Sequence, residues 1–159
     1  MWLGDGFVRK TSIINEDIEV IKWLKQYSDS IGMRCVVDTT SSNAFCVTIT
    51  NTKDKPAFYK NRILESLRYY NILKYKDIPD EYIFASTDDK LKLLAGFIDT
   101  DGNFSKRDRI YTISQCESHK HMIDKLAFIA RSIGFKCSTR MYNTACKKLI
   151  RNNKNISTC

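Results

Sequence analysis

The sequence predicts an α+β protein built from two related halves, on three observations. Two segments, residues 16–31 and 118–133, carry apolar side chains at helical spacing. Both end in nearly the same six residues, and each follows an Asp-Gly pair further upstream. Stretches with strand-like alternation accompany both segments. A repeat of this length predicts two related halves and not a solenoid, and we place them at residues 1–80 and 81–159.

The matched ends of the two predicted helices are the clearest sign of duplication. Residues 30–35 read SIGMRC and residues 132–137 read SIGFKC. Gly32 and Gly134 fit the left-handed position that closes a helix, and a strand is predicted after each. Chance similarity of the two hexapeptides is the alternative. Asn15 is the predicted N-cap of the first helix. The predicted inward side chains of that helix are Ile18, Ile21, Trp23, Leu24, Tyr27 and Ile31.

The other predicted elements are two hairpins and two helices. In the first hairpin, Phe45, Val47 and Ile49 alternate with small or polar residues, which predicts one apolar and one polar face. The helix before the second Asp-Gly pair is predicted to be capped by Ser86 or Thr87. The hairpins are predicted at residues 34–40 with 45–51 and 104–106 with 109–116, and the helices at 56–73, with Phe58 inward, and 88–98.

The net charge of +8 is concentrated toward the C-terminal end of the sequence. The first 124 residues contain 18 of the 26 Lys and Arg and all 18 Asp and Glu, so they are neutral overall. The excess comes from Lys125, Arg131, Lys136, Arg140, Lys147, Lys148, Arg151 and Lys154. A basic block suits a polyanion such as DNA, because each neutralised phosphate releases counterions. For residues 147–154, a solvated basic tail is the alternative.

Composition argues against several classes of protein. No stretch approaches the roughly 20 apolar residues of a membrane span, and no basic segment with a following apolar run indicates secretion, so we expect an intracellular protein. Six cysteines without CxxC spacing and only two histidines argue against a zinc site. Cys35, Cys46, Cys116 and Cys137 lie in strand-like stretches and are expected to be small core residues in a reduced protein.

Asp101 lies where a helix is predicted to end. A carboxylate there opposes the helix dipole at a cost of roughly 0.3–1 kcal/mol, and Asp99 adds to that cost. Such a conflict is expected where function overrides stability. Ala95 and Gly96 would allow a second backbone to approach, bringing the two Asp-Gly pairs side by side. Two carboxylates with adjacent backbone carbonyls suit Mg²⁺. Taken alone, an Asp-Gly pair would indicate only a turn.

The segment LAGFIDTDG, residues 94–102, resembles the LAGLIDADG motif and departs from it only at Phe97 and Thr100. The segment WLGDG, residues 2–6, resembles the end of the first such motif in the DOD-type endonucleases associated with inteins. This resemblance implies that Asp5 and Asp101 are catalytic carboxylates that bind Mg²⁺, with Gly4 and Thr100 as adjacent ligands. It also implies a pseudo-twofold fold of two αββαββα-like halves, with antiparallel four-stranded DNA-binding sheets beneath a pair of packed motif helices.

A third block supports the same family. The segment KDIP, residues 76–79, resembles the Lys-x-Ile-Pro element that precedes the second motif in intein endonucleases. The resemblance implies that Lys76 assists catalysis, by orienting or activating the attacking water or by stabilising phosphate charge. Without that context, Lys76 would be an ordinary surface lysine.

Double-stranded DNA is the expected partner, read from the strand faces in the major groove. The candidate DNA-binding residues are Arg9, Arg34, Thr48, Thr50, Lys106, Arg107, Arg109, Gln115 and Arg140. Some of them are expected to contact bases and others only phosphate. Solvent-facing polar side chains are the alternative for about half of the set.

By comparison with the family, the sequence is expected to be incomplete at both ends. Two further turns of the first motif helix would precede Trp2, and a further strand and helix, often with a second catalytic lysine, would follow the strand predicted from Lys136. No splicing elements are present, so self-splicing is not expected. The leading interpretation is a site-specific double-strand DNA endonuclease; the alternative is an inactive DNA-binding remnant or regulator, with an RNA-splicing maturase as a distant third. A pseudo-symmetric monomer is expected, and a homodimer is possible.

Overall fold

The computed structural model describes residues 1–56, 59–141, 149–151 and 154–156 of the chain. The helices are α1 Trp2–Asp5, α2 Ile18–Ser30, α3 Arg62–Tyr69, α4 Thr87–Asp101 and α5 Lys120–Ser132, with 3₁₀ turns at Asp80–Ile83 and Glu117–His119. The strands are β1 Ser12–Asn15, β2 Arg34–Thr39, β3 Phe45–Thr50, β4 Gly102–Ser105, β5 Ile110–Ile113, β6 Leu149–Arg151 and β7 Lys154–Ile156. Helices thus combine with antiparallel sheets, which confirms the α+β class.

A three-stranded antiparallel sheet in the order β1-β3-β2 forms the first half with α2. The predicted hairpin is confirmed, because Arg34 pairs with Thr50 and Thr39 pairs with Phe45. Val47 and Ile49 are buried, at 0% and 3% exposure. Alternation along β3 therefore creates one core face and one polar face, as the sequence predicts.

The buried face of α2 differs from the prediction. Ile18, Trp23 and Tyr27 are exposed, at 50%, 48% and 41%, although they share the apolar spacing. The buried residues of α2 are Val20, Ile21, Leu24 and Ser28. Trp23 and Tyr27 stack on each other on the outer surface, with ring centroids 5.3 Å apart. The N-cap is Asp17, whose side chain accepts the Glu19 amide, and not Asn15.

The matched hexapeptides form the same structure. Gly32 and Gly134 both have positive φ, 68° and 94°. After α2, the amides of Gly32 and Met33 donate to the carbonyls of Asp29 and Ser28, and the two bonds after α5 follow the same pattern. This is the Schellman arrangement, in which a left-handed residue lets the chain satisfy the last helical carbonyls. The predicted helix ends are therefore confirmed.

The second half departs from the predictions in its strands. The hairpin β4-β5 forms, with Ser105 opposite Ile110. No strand follows Gly134 within residues 135–141, whereas a strand follows Gly32. Over the described ranges, the sheets contain three, two and two strands, so the expected pair of four-stranded sheets is not found there. The basic residues of the stretch 142–148 lie outside the described residues.

The helix predicted at residues 56–73 is shorter, because Asn61 starts α3 as a side-chain N-cap. Asn61 Oδ1 accepts a hydrogen bond from the Leu64 backbone amide, and Asn61 Nδ2 donates one to the Ile49 carbonyl. The Asn61 side chain therefore connects the helix to β3. Phe58 lies outside the described residues. Cys35, Cys46 and Cys137 are half-buried, but Cys116 is exposed and caps a 3₁₀ turn, so it is not the core residue predicted.

Two apolar cores meet at the N-terminal segment. The first contains Ile13, Leu24 and Val47 around the three-stranded sheet. The second contains Phe97 and Met122, from α4 and α5. Trp2 packs against both cores, so α1 lies at the seam between them. Among the helices of the described residues, none has the length and apolar character that crossing a bilayer requires.

Candidate active site

Helix α4 carries one carboxylate of the site at its final residue. Ser86 begins the helix by accepting the Asp89 amide, and Asp101 ends it. The helix therefore extends through the whole acidic segment, three residues beyond the predicted end at Ile98. The last four carbonyls of a helix accept no hydrogen bond from within the helix, and the aligned peptide dipoles make this end negative. Asp101 thus adds a charge to a region that already favours a cation.

Helix α1 brings the second carboxylate to the same place. A β-carbon built on Gly4 would lie 2.5 Å from Asp101 Oδ2, and closer still to the hydroxyl of Thr100. A β-carbon on Gly96 would lie 2.6 Å from the backbone nitrogen of Met1. Ala95, in contrast, is exposed. Close approach of the two backbones therefore depends on Gly4 and Gly96, and it brings Asp5 beside Asp101.

Lys76 reaches the same point from the segment between the two halves. Its ammonium group donates a hydrogen bond to the Gly4 carbonyl and lies 5.7 Å from the centre of the Trp2 ring. Burial lowers the pKa of Lys76 below its ordinary value, and the negative charges of Asp101 and Asp5 oppose that shift. The three residues nominated by the resemblance therefore meet in one site.

The backbone around Lys76 is fixed by α5. Lys125 Nζ donates three hydrogen bonds of 2.8 Å, to Asp77 Oδ2, Asp80 Oδ1 and the Ile78 carbonyl. His121 Nε2 lies 3.2 Å from the Lys76 carbonyl. Ile78 is completely buried in the core that α5 helps to form. These contacts attach the KDIP segment to α5.

Each carboxylate also accepts a hydrogen bond from a side-chain amide. Asn15 Nδ2 donates to Asp5 Oδ2 and Gln115 Nε2 donates to Asp101 Oδ2, both at 2.7 Å. Burial raises the pKa of Asp101, and the nearby charge of Asp5 raises it further, while Lys76 and Gln115 lower it. The Asp101 carboxylate therefore lies in a partly desolvated environment in which the neighbouring charge of Asp5 is unfavourable.

The donor set fits Mg²⁺, which is commonly held by one or two carboxylates together with substrate phosphate and water. Among the described residues, neither Asp5 Oδ1 nor Asp101 Oδ1 has a hydrogen-bond partner. The Thr100 carbonyl lies in the last turn of α4, where backbone acceptors are free of intrahelical bonds. The Gly4 carbonyl already accepts Lys76. No group of three or more His, Cys, Asp or Glu capable of holding a metal occurs in the described part of the chain.

The nine predicted DNA-binding residues comprise three with internal hydrogen bonds, five that are exposed, and the half-buried Thr50. Three of them make internal hydrogen bonds: Arg34 Nε with the Asn51 carbonyl, Thr48 Oγ1 with Ser12 Oγ, and Gln115 with Asp101. Arg34, Thr48 and Thr50 share the sheet face opposite the Val47 core face. The exposed residues are Arg9, Lys106, Arg107, Arg109 and Arg140. The structure therefore places Gln115 within the acidic site, although the sequence predicted it among the DNA readers.

Sequence reasoning missed Asn15 and Lys125 as members of the site. Asn15 was predicted as a helix cap, since asparagine before a helix is the usual signal for one. Lys125 was counted only as part of the basic block. A comparison of the two halves contains a signal for Asn15. An amide residue follows the Asp-Gly pair and precedes the helix in both halves, as Asn15 after Asp5 and as Gln115 after Asp101.

The homing endonuclease family model matches residues 77–158 of the chain. The matched region covers more than half of the 159 residues; it contains Asp101 and Gln115, and it begins directly after Lys76. No curated protein matches the sequence. The chain therefore belongs to the homing endonuclease family, whose members are nucleases that act on DNA.

Proposed function

We propose that this chain is a site-specific, double-strand DNA endonuclease of the LAGLIDADG, intein-associated kind. The observation that carries the proposal is the meeting of Asp5, Asp101 and Lys76 at the seam between the two cores. Lys76 is 72 positions from Gly4, whose carbonyl it contacts, so no local folding preference explains the meeting. A turn-forming role for the two Asp-Gly pairs would not require a half-buried lysine between them.

Asp5 and Asp101 are proposed to hold Mg²⁺ through their free Oδ1 atoms, with the Thr100 carbonyl beside them. Bound there, the metal would supply Lewis-acid stabilisation of the phosphate and activation of water. Lys76 orients the attacking water or stabilises negative charge that develops on the phosphate. Its lowered pKa makes proton transfer near neutral pH easier than for an exposed lysine.

The DNA is proposed to lie against the strand faces of both halves. In the second half, Lys106, Arg107 and Arg109 lie at the exposed turn between β4 and β5, where they suit phosphate contacts. In the first half, Arg34 and Thr50 lie opposite each other on the face away from the core, where they suit contacts to base edges.

A single chain supplies both carboxylates, because Asp5 and Asp101 belong to the same molecule and lie in contact range of each other's charge. We therefore propose that the monomer is the active unit, with its two halves related by an approximate twofold axis. A homodimer would be required only if one copy left a carboxylate unpaired.

The test is cleavage of a DNA library with randomised target sites in Mg²⁺, with the cut ends identified by sequencing. Asp5→Asn and Asp101→Asn are expected to abolish cutting while DNA retardation on a gel is kept, because the amide removes the metal-binding charge and keeps the shape. Asp99→Asn is the matched control, since Asp99 lies on the same helix but is exposed.

Equal loss of cleavage in Asp99→Asn and Asp101→Asn would contradict the assigned site. If the unaltered protein cuts no member of the library but retards DNA, the nuclease proposal fails and the alternative, an inactive DNA-binding remnant, is correct. Omission of Mg²⁺ should stop cleavage, and Ca²⁺ should support binding of DNA in its place.

A further inference from the structure

Two amide side chains occupy corresponding places in the two halves of the site. Asn15 is the last residue of β1 and precedes the 13-residue helix α2. Gln115 follows β5 and precedes α5, which also has 13 residues. Each amide therefore lies between a strand and the helix that closes with the Schellman turn. Each also donates to the carboxylate of its own half, at the same distance of 2.7 Å.

The direction of both hydrogen bonds is fixed by chemistry. Asn15 Oδ1 accepts the Asp17 backbone amide at 2.8 Å, so the other end of the Asn15 amide must face Asp5. An ionised carboxylate only accepts hydrogen bonds, so Gln115 must present its NH₂ group to Asp101. In both cases the amide engages Oδ2. Oδ1 of the same carboxylate has no hydrogen-bond partner among the described residues.

We infer that Asn15 and Gln115 are a matched pair of positioning residues, which fix the orientation of the two metal-binding carboxylates. This inference rests on the proposed function, because it assigns a role within the same site. Partners of this kind orient ligands and tune metal affinity, and their loss typically weakens affinity or activity by about 10- to 100-fold. A purely structural amide would affect folding stability and leave the affinity for metal unchanged in the folded protein.

The amides are neutral donors, and each lies 2.7 Å from the carboxylate of its own half. A neutral donor stabilises the ionised form without occupying the place of a cation. A lysine at position 15 or 115 would instead compete with the metal for the carboxylate.

The test uses Ca²⁺ as the probe, in calorimetric titrations of the whole protein without DNA, so that no cleavage is needed. Asn15→Leu and Gln115→Met remove the donors at similar size and are each expected to raise the dissociation constant for Ca²⁺ by about 10-fold. Gln26→Met is the control, because Gln26 is an exposed amide on α2. Thermal melting of each variant reports whether it is folded.

A second readout separates positioning from general damage. In cleavage assays, the Mg²⁺ concentration for half-maximal rate should rise in both variants, while the rate at saturating Mg²⁺ recovers at least in part. If Asn15→Leu does not fold, Gln115→Met carries the test, since Gln115 makes no other side-chain hydrogen bond in the described residues.

Ca²⁺ affinities within twofold of the unaltered protein in folded Gln115→Met, combined with loss of binding in Asp101→Asn, would overturn the inference and leave the proposed function standing. Absence of Ca²⁺ binding by the unaltered protein would overturn the inference, whereas the proposed function is decided by the cleavage of the DNA library. A 10-fold loss of Ca²⁺ affinity in only one of the two folded variants would show that Asn15 and Gln115 do not have matching roles.

Discussion

The ammonium group of Lys76 donates a hydrogen bond to the backbone carbonyl of Gly4, across 72 positions of sequence. The bond joins the segment between the two halves to the first of them, at the point where Asp5 and Asp101 meet. Lys76 is half-buried there, and it is the cation whose charge most directly opposes the raised pKa of Asp101. The hydrogen bond therefore holds the ammonium group of Lys76 beside the two carboxylates.

Lys76→Met is expected to reduce the cleavage rate by at least about 100-fold, because the methionine retains the stem and removes the ammonium group that contacts the reacting region. DNA affinity measured by gel retardation should change little. Lys74→Met is the control, since Lys74 is exposed and precedes the KDIP segment. Similar rates for the two variants would remove Lys76 from the reaction.

Gly4→Ala is expected to abolish cleavage through a steric effect. The added methyl group would meet Thr100 and, at 2.5 Å, Asp101 Oδ2, so that α1 must move away from α4. Gly32→Ala is the comparison, because its β-carbon meets nothing within 4 Å but its φ is +68°. That variant should lose about 1 kcal/mol of folding stability and keep its activity. Full activity in folded Gly4→Ala would show that the close approach is unnecessary.

Asp101→Asn is expected to raise the melting temperature at neutral pH. The folded-state pKa of Asp101 is raised, chiefly by burial and then by Asp5. The folded state therefore holds the proton more tightly than the unfolded chain, and stability falls as pH rises from the ordinary carboxyl pKa through the folded-state value. The asparagine side chain does not ionise, so the folding stability of the variant does not fall for this reason.

The stabilisation by Asp101→Asn should shrink as pH is lowered toward about 3.8, the ordinary carboxyl pKa, since both proteins then carry an uncharged group there. Melting curves at a series of pH values measure it, with Asp99→Asn as the exposed comparison. A gain independent of pH would mean that charge at Asp101 is not the cause.

Lys125→Met is expected to lower the free energy of unfolding by about 1–2 kcal/mol, because three hydrogen bonds to the KDIP segment are lost while two carboxylates keep their charge. The matched control is Lys120→Met on the same helix. Among the described residues, Lys120 pairs only with Asp124, and both side chains are about half exposed, at 55% and 51%, so this loss should be about 0.3–0.5 kcal/mol. Equal losses of unfolding free energy for the two variants, measured by urea denaturation, would show that the Lys125 hydrogen bonds do not stabilise the KDIP segment.

Local patterns predicted much of the fold. The hairpin of β2 and β3, the Schellman ends at Gly32 and Gly134 and the cap at Ser86 all depend on neighbours within a few residues, so composition and spacing suffice. The exposed Trp23 and Tyr27 show where this fails. Apolar spacing marks a face of a helix, but which part of that face is covered depends on packing partners distant in sequence.

The sequence by itself determined the family resemblance and nominated Asp5, Asp101 and Lys76, because a nine-residue motif and a four-residue block carry that information directly. Only the tertiary structure decided that these three residues meet, that Gln115 contacts Asp101 instead of lying free for DNA, and that Asn15 contacts Asp5 instead of capping α2. The physical reason is that both amides are local helix or strand signals, whereas each contact also needs the pairing of Gly6 with Ile13 or of Gly102 with Ile113. The meeting of the two halves depends on the close packing of α1 on α4, which the glycines permit and the two cores enforce.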